Sequence, residues 1–371
     1  MLHVTVYPDL NSPHASQVYS GLFELAKERK ITLELTDEFN ERIMKSARNS
    51  VLCVQVSDSE TSRIRTVCFD MFDGFQISSV ERLKLCDVYF KRSFSDEYVG
   101  GLDGADRKKI VPYGLNYECR SRNERDVLRR LFISRRATPS LSGNLPRSLK
   151  YVSIEVLKHL LLKADIDVLG LKPMAIADFV VEPSEPAESK VLLQTRLWTP
   201  EECPRIGVRQ LQEINDMRVD TVRSLRKRLG GRFVGGLVPT AFARQHHRDL
   251  CLEAKDTGRR TYMDAVKNCL VCVTTTGLHD SIGFRLPEYL AASRCVVTEP
   301  LRCRLPVQLK EGSNYLTFRT PDECVEACER LLADPQSANR MRHENYRYYR
   351  NEVEPSALVQ KCLTTAISHS S

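Results

Sequence analysis

The 371 residues contain no run of eighteen or more apolar side chains, which excludes an ordinary transmembrane helix as the reading of any segment. The opening stretch, MLHVTVYPDLNSPH, lacks the apolar core that a signal peptide requires. A cytoplasmic protein is therefore expected, at most peripheral to the inner face of a membrane. Metal-ligand spacing is scarce. Cys269 and Cys272 stand three apart, but in a predicted strand that separation turns the side chains to opposite faces, and no second Cys or His pair lies at a suitable distance. Neither a metal nor a cofactor is expected. The cysteines number thirteen, an odd count, and many lie in apolar runs such as SVLCVQV, RTVCFDM and CLVCVTTT. That is the pattern of buried thiols in a reducing compartment, not of a disulfide framework. Aromatic residues make up 7% and do not group with the basic ones, so the stacking platform of a single-strand nucleic-acid binder is missing. The net charge of +7 is carried by basic residues mixed with acids, as in RNERDVLRRL, which reads as solvated helix faces, and no nucleic-acid partner is expected.

What is present is ordinary globular material, 42% hydrophobic and 28% charged, long enough for two α/β domains. Strands are expected at His3–Tyr7, 31–36, 50–56, 65–72, 87–93 and 109–114, with a helix at Ala15–Lys27 and helix-competent stretches between several of the others. Such alternation implies a mostly parallel sheet. An amphipathic stretch at about 148–164 is followed by EPSEPAES at 182–189, read as a linker or as the loop feeding a new domain. A second series follows: KVLLQTRLW, a long helix to about Leu229, RFVGGLV, a helix near 258–268, CLVCVTTT, a helix from about Arg285, RCVVTEP and NYLTF. The expected domains are 1–180 and 181–350, with a C-terminal helix at 351–371 that packs back on the first domain. Open parallel sheets bind ligands beyond the carboxyl ends of their strands, so the loops after Val238, Thr276 and Pro300 are expected to face one cleft.

The densest chemistry lies in TTTGLHDSIGFRLPEYLAASRCVV, residues 274–297. A strand leads into a loop holding Gly277, His279, Asp280, Ser281, Ile282 and Gly283. Pro287 then suits the first turn of a helix, and a strand closes the segment. Free backbone N–H groups and the helix dipole favour a phosphate at that loop, with Arg285 adding a full charge. Asp280 and Glu288 place two carboxylates along one extended ligand.

At these residues the sequence resembles the group 1 glycosyltransferases of the GT-B fold, which consist of two Rossmann-like domains facing a cleft. Their donor site holds a Glu-x7-Glu motif with a helix leading to Pro-Val-Val. In DSIGFRLPEYLAASRCVV, Asp280 stands at the first acid, Gly283 at the loop glycine, Glu288 at the second acid, and Val296 and Val297 at the closing strand. The resemblance implies that Asp280 contacts the donor sugar and that the loop N–H groups from Gly277 to Gly283 hold the diphosphate. It also implies that Glu288 binds the ribose. Asp280 is one methylene shorter than the family's Glu. The implied activity is transfer of a sugar from a nucleotide-diphosphate sugar to a carbohydrate, lipid-linked or protein acceptor hydroxyl, without metal and with retention of configuration. A sugar-nucleotide epimerase or hydrolase on the same fold, or a non-catalytic GT-B binding module, stays as the alternative.

Other residues carry two readings each. Arg196, following the first strand of the second domain, is either a phosphate ligand or a surface cation. Gly235 and Gly236 either admit a nucleotide to the backbone or form a plain turn. His279 is placed to bond a phosphate or a sugar hydroxyl, whereas His246 and His247 read as loop residues. In the first domain the loop Asp9–His14 stands where the family has a glycine-rich loop, but without the glycine pair. His14 is then an acceptor-side anchor or base, or an exposed residue at a helix start. Asp70 and Asp73, in CFDMFDG, are candidates for acceptor hydroxyls or are turn acids.

Overall fold

The computed structural model describes residues 1–46, 50–136 and 145–369, arranged in two compact units. Both are α/β.

The first unit comprises Met1–Asp178, Cys303–Val307 and Asn351–Ser371. Its strands are β1 (Leu2–Tyr7), β2 (Ile31–Leu35), β3 (Val51–Asp58), β4 (Ile64–Asp70), β5 (Val88–Lys91) and β6 (Ile110–Pro112), in the order β2-β1-β3-β4-β5-β6. The expected parallel run is interrupted by β3, which is antiparallel to both of its neighbours. The turn at 59–63 is too short for a crossover, so β3 and β4 are constrained to form a hairpin. Leu52, Val54, Val67, Phe69, Val88 and Phe90 point into one core, shared with the helices Ser16–Lys27 and Pro355–Ser368. Val51, Cys53, Cys68 and Tyr89 point into a second core with Ile43, Leu83 and Val99. Burial on both faces explains why these strands read as continuous apolar runs rather than as alternation. Gly21 lets the two helices meet, because a Cβ there would stand 2.2 Å from the carbonyl oxygen of Pro355 and 2.5 Å from Val359.

The second unit comprises Phe179–Arg302 and Gln308–Arg350. Its strands β7 (Glu188–Thr195), β8 (Phe233–Leu237), β9 (Cys269–Thr274), β10 (Cys295–Thr298) and β11 (Leu316–Thr317) lie in the order β11-β10-β9-β7-β8, every pair parallel. The long helix Val208–Leu229 and the helix Pro321–Ala333 cover one face through Val219, Val222, Leu225, Val325 and Cys328, which pack against Val191, Leu193, Val271 and Val297. The segment 182–189 is held to this unit: Val181 donates its N–H to the carbonyl of Ala291 at 3.1 Å, and Glu188 opens β7. Strand winding reverses between β7 and β9, which puts a topological switch point beside Thr195 and Thr274. Among the described residues no helix is long and apolar enough to cross a membrane.

Candidate functional site

At the switch point the strand ends of the second unit are tied together by one buried arginine. Arg218, in the middle of the long helix, donates from Nη1 to the carbonyl of Arg196 at 2.6 Å, just past β7. Just past β9, its Nη2 reaches the carbonyl of Thr276 at 3.0 Å and its Nε reaches Thr275 Oγ1 at 3.2 Å. From the end of β10, Glu299 Oε2 accepts the N–H of Thr276 at 2.7 Å. Burial is the main cause of a lowered Arg218 pKa, pushed down to about 10, and the positive charge of Arg285 acts in the same direction while Glu299 opposes it. A cation disfavoured by burial and by a like charge is one that a bound anion would stabilise.

The loop beyond β9 has an unusual backbone. His279 and Asp280 follow one another with φ of 59° and 57°, the left-handed region that non-glycine side chains occupy at a cost and that recurs at binding sites. Gly277 closes the loop by donating to the Ser281 carbonyl at 3.0 Å, and a Cβ on it would fall 2.7 Å from Ser281 Oγ. Ser281 Oγ in turn donates to Leu278 O at 2.8 Å. Asp280, Ser281, Ile282 and Gly283 line a recess together with Thr274–Thr276, Thr298 and Glu299–Arg302. A Cβ on Gly283 would meet nothing within 4 Å. Asp280 Oδ1 lies 3.6 Å from the exposed guanidinium of Arg302.

The helix Arg285–Ala291 begins without a side-chain cap and carries Pro287 in its first turn. The Arg285 guanidinium lies over the Tyr262 ring, 5.4 Å from its centroid. Glu288 does not join the recess. It is wholly buried, and its Oε1 accepts from Arg259 Nη2 at 2.5 Å. Arg259 also lies 5.3 Å over the ring of Phe179. Arg196 turns its guanidinium onto Trp198, 4.3 Å from the ring centroid, and pairs with Glu202. Gly235 and Gly236, at φ of 129° and 153°, are crowded by backbone: a Cβ would stand 2.1 Å from Leu193 O and 2.5 Å from Leu250 O respectively. Their missing side chains thus serve the approach of β8 to β7 and of the 248–252 loop to β8. The His246 ring packs at a tilt of 48° against Phe242 in a short helix ending at His246, and His247 follows as its C-cap.

In the first unit the loop after β1 is held by two buried arginines. Arg82 Nη2 donates to Asp9 Oδ2 at 2.5 Å, and Arg130 Nη1 donates to Asn11 Oδ1 at 2.7 Å. At the ends of β4 and β5 a polar cluster gathers His14, Asp70, Asp73, Lys91 and Arg92. Asp70 is fully buried. It accepts from Phe72 N at 3.0 Å, Ser78 N at 3.0 Å and Tyr89 OH at 2.9 Å, and Lys91 Nζ lies 3.4 Å away. As placed, Asp70 organises the 72–78 loop and does not face outward. Burial lowers the Lys91 pKa, against the pull of Asp70. Arg92 Nη1 bridges Asp73 and His14, reaching His14 Nδ1 at 3.1 Å. A guanidinium only donates, so with Nδ1 accepting from Arg92 the neutral ring carries its proton on Nε2, whereas the other tautomer turns Nδ1–H to Asn116 Oδ1 at 3.4 Å. Burial, then the Arg92 charge, holds the His14 pKa below its ordinary value. Among the described residues no group of three His, Cys, Asp or Glu side chains is arranged to hold a metal ion.

Residues 218–364 match the model of a glycosyl transferase-like family, a span that begins at Arg218 and includes the whole 274–302 segment. That stretch of the chain is glycosyltransferase-like in sequence. No curated protein matches. Solved structures that resemble the chain include the C-terminal domain of a glycosyl transferase group 1 family protein, LpcC, from Francisella tularensis. It is 8% identical over 45% of this chain and 87% of that one, with a TM-score of 0.32. UDP-GlcNAc 2-epimerase from Neisseria meningitidis, bound to UDP-GlcNAc, is 13% identical over 78% of this chain and 63% of that one, with a TM-score of 0.37. HepE from Anabaena, in complex with UDP, is 9% identical over 76% of this chain and 78% of that one, with a TM-score of 0.35.

Arg218, Glu299, Arg259 and Arg302 escaped the sequence reading. Arg218 lies in VRQLQEINDMRVDTVRSLRKRL, where it looks like any cation on a solvated helix. The one available signal was its place on the apolar stripe with Leu211, Val222 and Leu225, which are buried with it.

Proposed function

We propose that this chain transfers a sugar from a nucleotide-diphosphate sugar to an acceptor hydroxyl. The observation that carries the reading is Arg218, buried at the switch point and disfavoured by the charge of Arg285. A diphosphate at the ends of β7 and β9 removes that conflict, and charge-assisted hydrogen bonds to it are the strong kind. The family match over residues 218–364 supports the same chemistry. In this reading the N–H of Gly283 completes the diphosphate cradle, Ser281 being held in the loop by its own bonds to Leu278, and Asp280 reaches the sugar hydroxyls with its position set by the left-handed loop. Glu288 takes the ribose by exchanging its contact with Arg259. The acceptor attacks the anomeric carbon from the same face as the departing diphosphate, one of whose oxygens takes the acceptor's proton as the sugar–phosphate bond breaks, giving retention, and the cations stabilise the leaving group without a metal. On the acceptor side, the neutral His14 offers Nε2–H to a hydroxyl, steadied by Arg92 and Asp73.

A second reading, nucleotide-sugar binding without transfer, rests on Asp280, one methylene shorter than the family's first acid, and on the 9–14 loop without its glycine pair. One experiment separates the two. Calorimetry against uridine, guanosine and adenosine diphosphate sugars is followed by product analysis with an acceptor panel. Nucleotide release that depends on acceptor supports transfer, binding without release over the panel supports the second reading, and absence of binding to every nucleotide overturns both.

A further inference from the structure

β2 closes one end of the first sheet, and its outer edge is unused. Thr36 donates its N–H to the carbonyl of Val6 at 2.9 Å, so by alternation Ile31, Leu33 and Leu35 turn their N–H and C=O groups away from β1. Among the described residues no main-chain group pairs with that edge. The strand carries neither a proline nor a break in register to blunt it. A cavity of about 520 Å³ lies against it, with Phe23 and Ala26 of the Ser16–Lys27 helix and Ile31, Leu33 and Leu35 of β2 as apolar walls. A bare strand edge beside an apolar trough is the geometry of strand addition: an extended peptide gains main-chain hydrogen bonds from the edge and seats every second side chain in the trough.

The charges at one end select the occupant. Lys27, Arg29, Arg125 and Asp126 line the cavity, three cations against one acid, and among the described residues none of the four is in an ion pair. The other acids nearby are engaged. Glu24 accepts from Asn123 Nδ2 at 2.8 and 3.0 Å and from Ser121 Oγ at 2.6 Å. Glu28 pairs with Lys30 at 2.8 Å, Asp37 with Arg136 at 3.4 Å, and Glu34 lies on the opposite face of the strand, 3.7 Å from His3. The helix end does not cancel the cations with open carbonyls: those of Glu24, Leu25 and Ala26 accept from Glu28, Lys30 and Arg29 at 2.9, 3.0 and 3.2 Å. That same turn, with Arg29 at φ 58°, leaves the edge no rung before Ile31. A peptide laid antiparallel to β2 therefore finishes there, and its terminal carboxylate meets the cations. A second copy offering its own β2 edge would bring like charges together.

We propose that the β2 edge binds the C-terminal end of another protein, an extended segment apolar at alternate positions, added antiparallel to β2 with its carboxylate at Lys27, Arg29 and Arg125. The test probes bead-displayed pentapeptides, apolar at alternate positions and ending in a free carboxylate or an amide, with the fluorescently labelled full chain. Retained peptides are then titrated by fluorescence anisotropy. The acid form should bind, and roughly tenfold or more should be lost at high salt, in the amide form and in R29E/R125E. N-methylation of the peptide amides that face β2 should cost about as much, an effect that only main-chain pairing produces. Both arginines are exposed, so R29E/R125E should keep the thermal unfolding of wild type. Retention of no peptide, or equal binding of acid and amide, overturns the proposal. So does an N-methylated peptide that binds as well as its parent, since the cavity then takes any small amphipathic anion. A dimer in size-exclusion that excludes the peptide overturns it too, because the edge then belongs to a second copy. The surface is independent of the strand-end chemistry: nucleotide affinity should be the same in R29E/R125E and wild type, so the two readings fail separately.

Discussion

Glu288 Oε1 meets Arg259 Nη2 at 2.5 Å across a boundary of exposure, the carboxylate wholly buried and the guanidinium side chain 38% exposed. The pair is therefore asymmetric. Removing Arg259 leaves a buried charge without that cation, whereas removing Glu288 frees a cation that water can reach. Arg259→Ala is expected to cost about 3 kcal/mol of stability and Glu288→Gln less, by urea unfolding. In nucleotide binding the order reverses: Glu288→Ala should weaken nucleotide-sugar affinity by about 1–3 kcal/mol, the scale of charge-assisted hydrogen bonds. Unchanged affinity by calorimetry in a folded Glu288→Ala protein removes the ribose role.

Gly283 and Gly235 give a matched contrast. Gly283→Ala meets open space and should change stability by less than about 0.5 kcal/mol, yet lower diphosphate affinity because the methyl enters the recess. Gly235→Ala forces a Cβ against Leu193 O at a positive φ and should destabilise the second unit by about 1–3 kcal/mol. Calorimetry and thermal unfolding on both variants check the pair; equal effects on stability would contradict the geometry.

Arg285→Ala removes the charge that opposes Arg218. Without ligand the variant should be as stable as wild type or slightly more so. With a nucleoside diphosphate its affinity should fall about tenfold to a hundredfold, and less steeply at high salt than in wild type. Equal affinities at low salt would remove Arg285 from the diphosphate site.

His14 sets a pH dependence of known sign. Its pKa in the folded chain lies below the ordinary value because burial, then Arg92, disfavours the charged ring. The folded state thus binds fewer protons than the unfolded one as pH falls below about 6.5, so the stability present at neutral pH is lost on acidification through that window. Urea midpoints at successive pH values should fall on the acid side in wild type and fall less in His14→Asn. An identical slope in the variant would assign the effect elsewhere, His159 being the other histidine with a lowered pKa.

Gly21→Ala should destabilise the first unit by about 1–3 kcal/mol in thermal unfolding, because the helices Ser16–Lys27 and Pro355–Ser368 must separate to admit a methyl. Unaltered stability would mean that the helix contact yields freely.

Much of the scaffold is legible in the sequence. β3, β4, β7 and β9 appear as apolar runs because their inner residues are buried on both faces, β1 shows alternation with Val4 and Val6 inside and His3 outside, and Pro287 marked the helix that follows the chemical loop. The reversed β3 was hidden because periodicity reports burial and not direction. The site was legible where chemistry is local: the 277–283 loop announces itself by glycines and short polar residues. It was illegible where chemistry is tertiary. Arg82, Arg130 and Arg218 sit in charge-rich helices identical in pattern to solvated ones, and only folding reveals that their partners are Asp9, Asn11 and the strand-end carbonyls. Asp70 and Glu288 mislead in the other direction, since a carboxylate beside a strand end has no sequence mark that says whether it faces water or the interior.

The return of the helix Pro355–Ser368 to the first unit has a consequence for biosynthesis. Leu358, Val359, Cys362 and Leu363 complete a core whose other walls are β1, β3 and the Ser16–Lys27 helix, so the earlier-made part of that unit cannot close until the Pro355–Ser368 helix has been made. The unit bounded by Phe179 and Arg350 holds all its strands earlier. The order of completion during synthesis is thus the reverse of the order of the genetic message, and the early segments must wait, with apolar surface uncovered, in the state most exposed to chaperones and to aggregation.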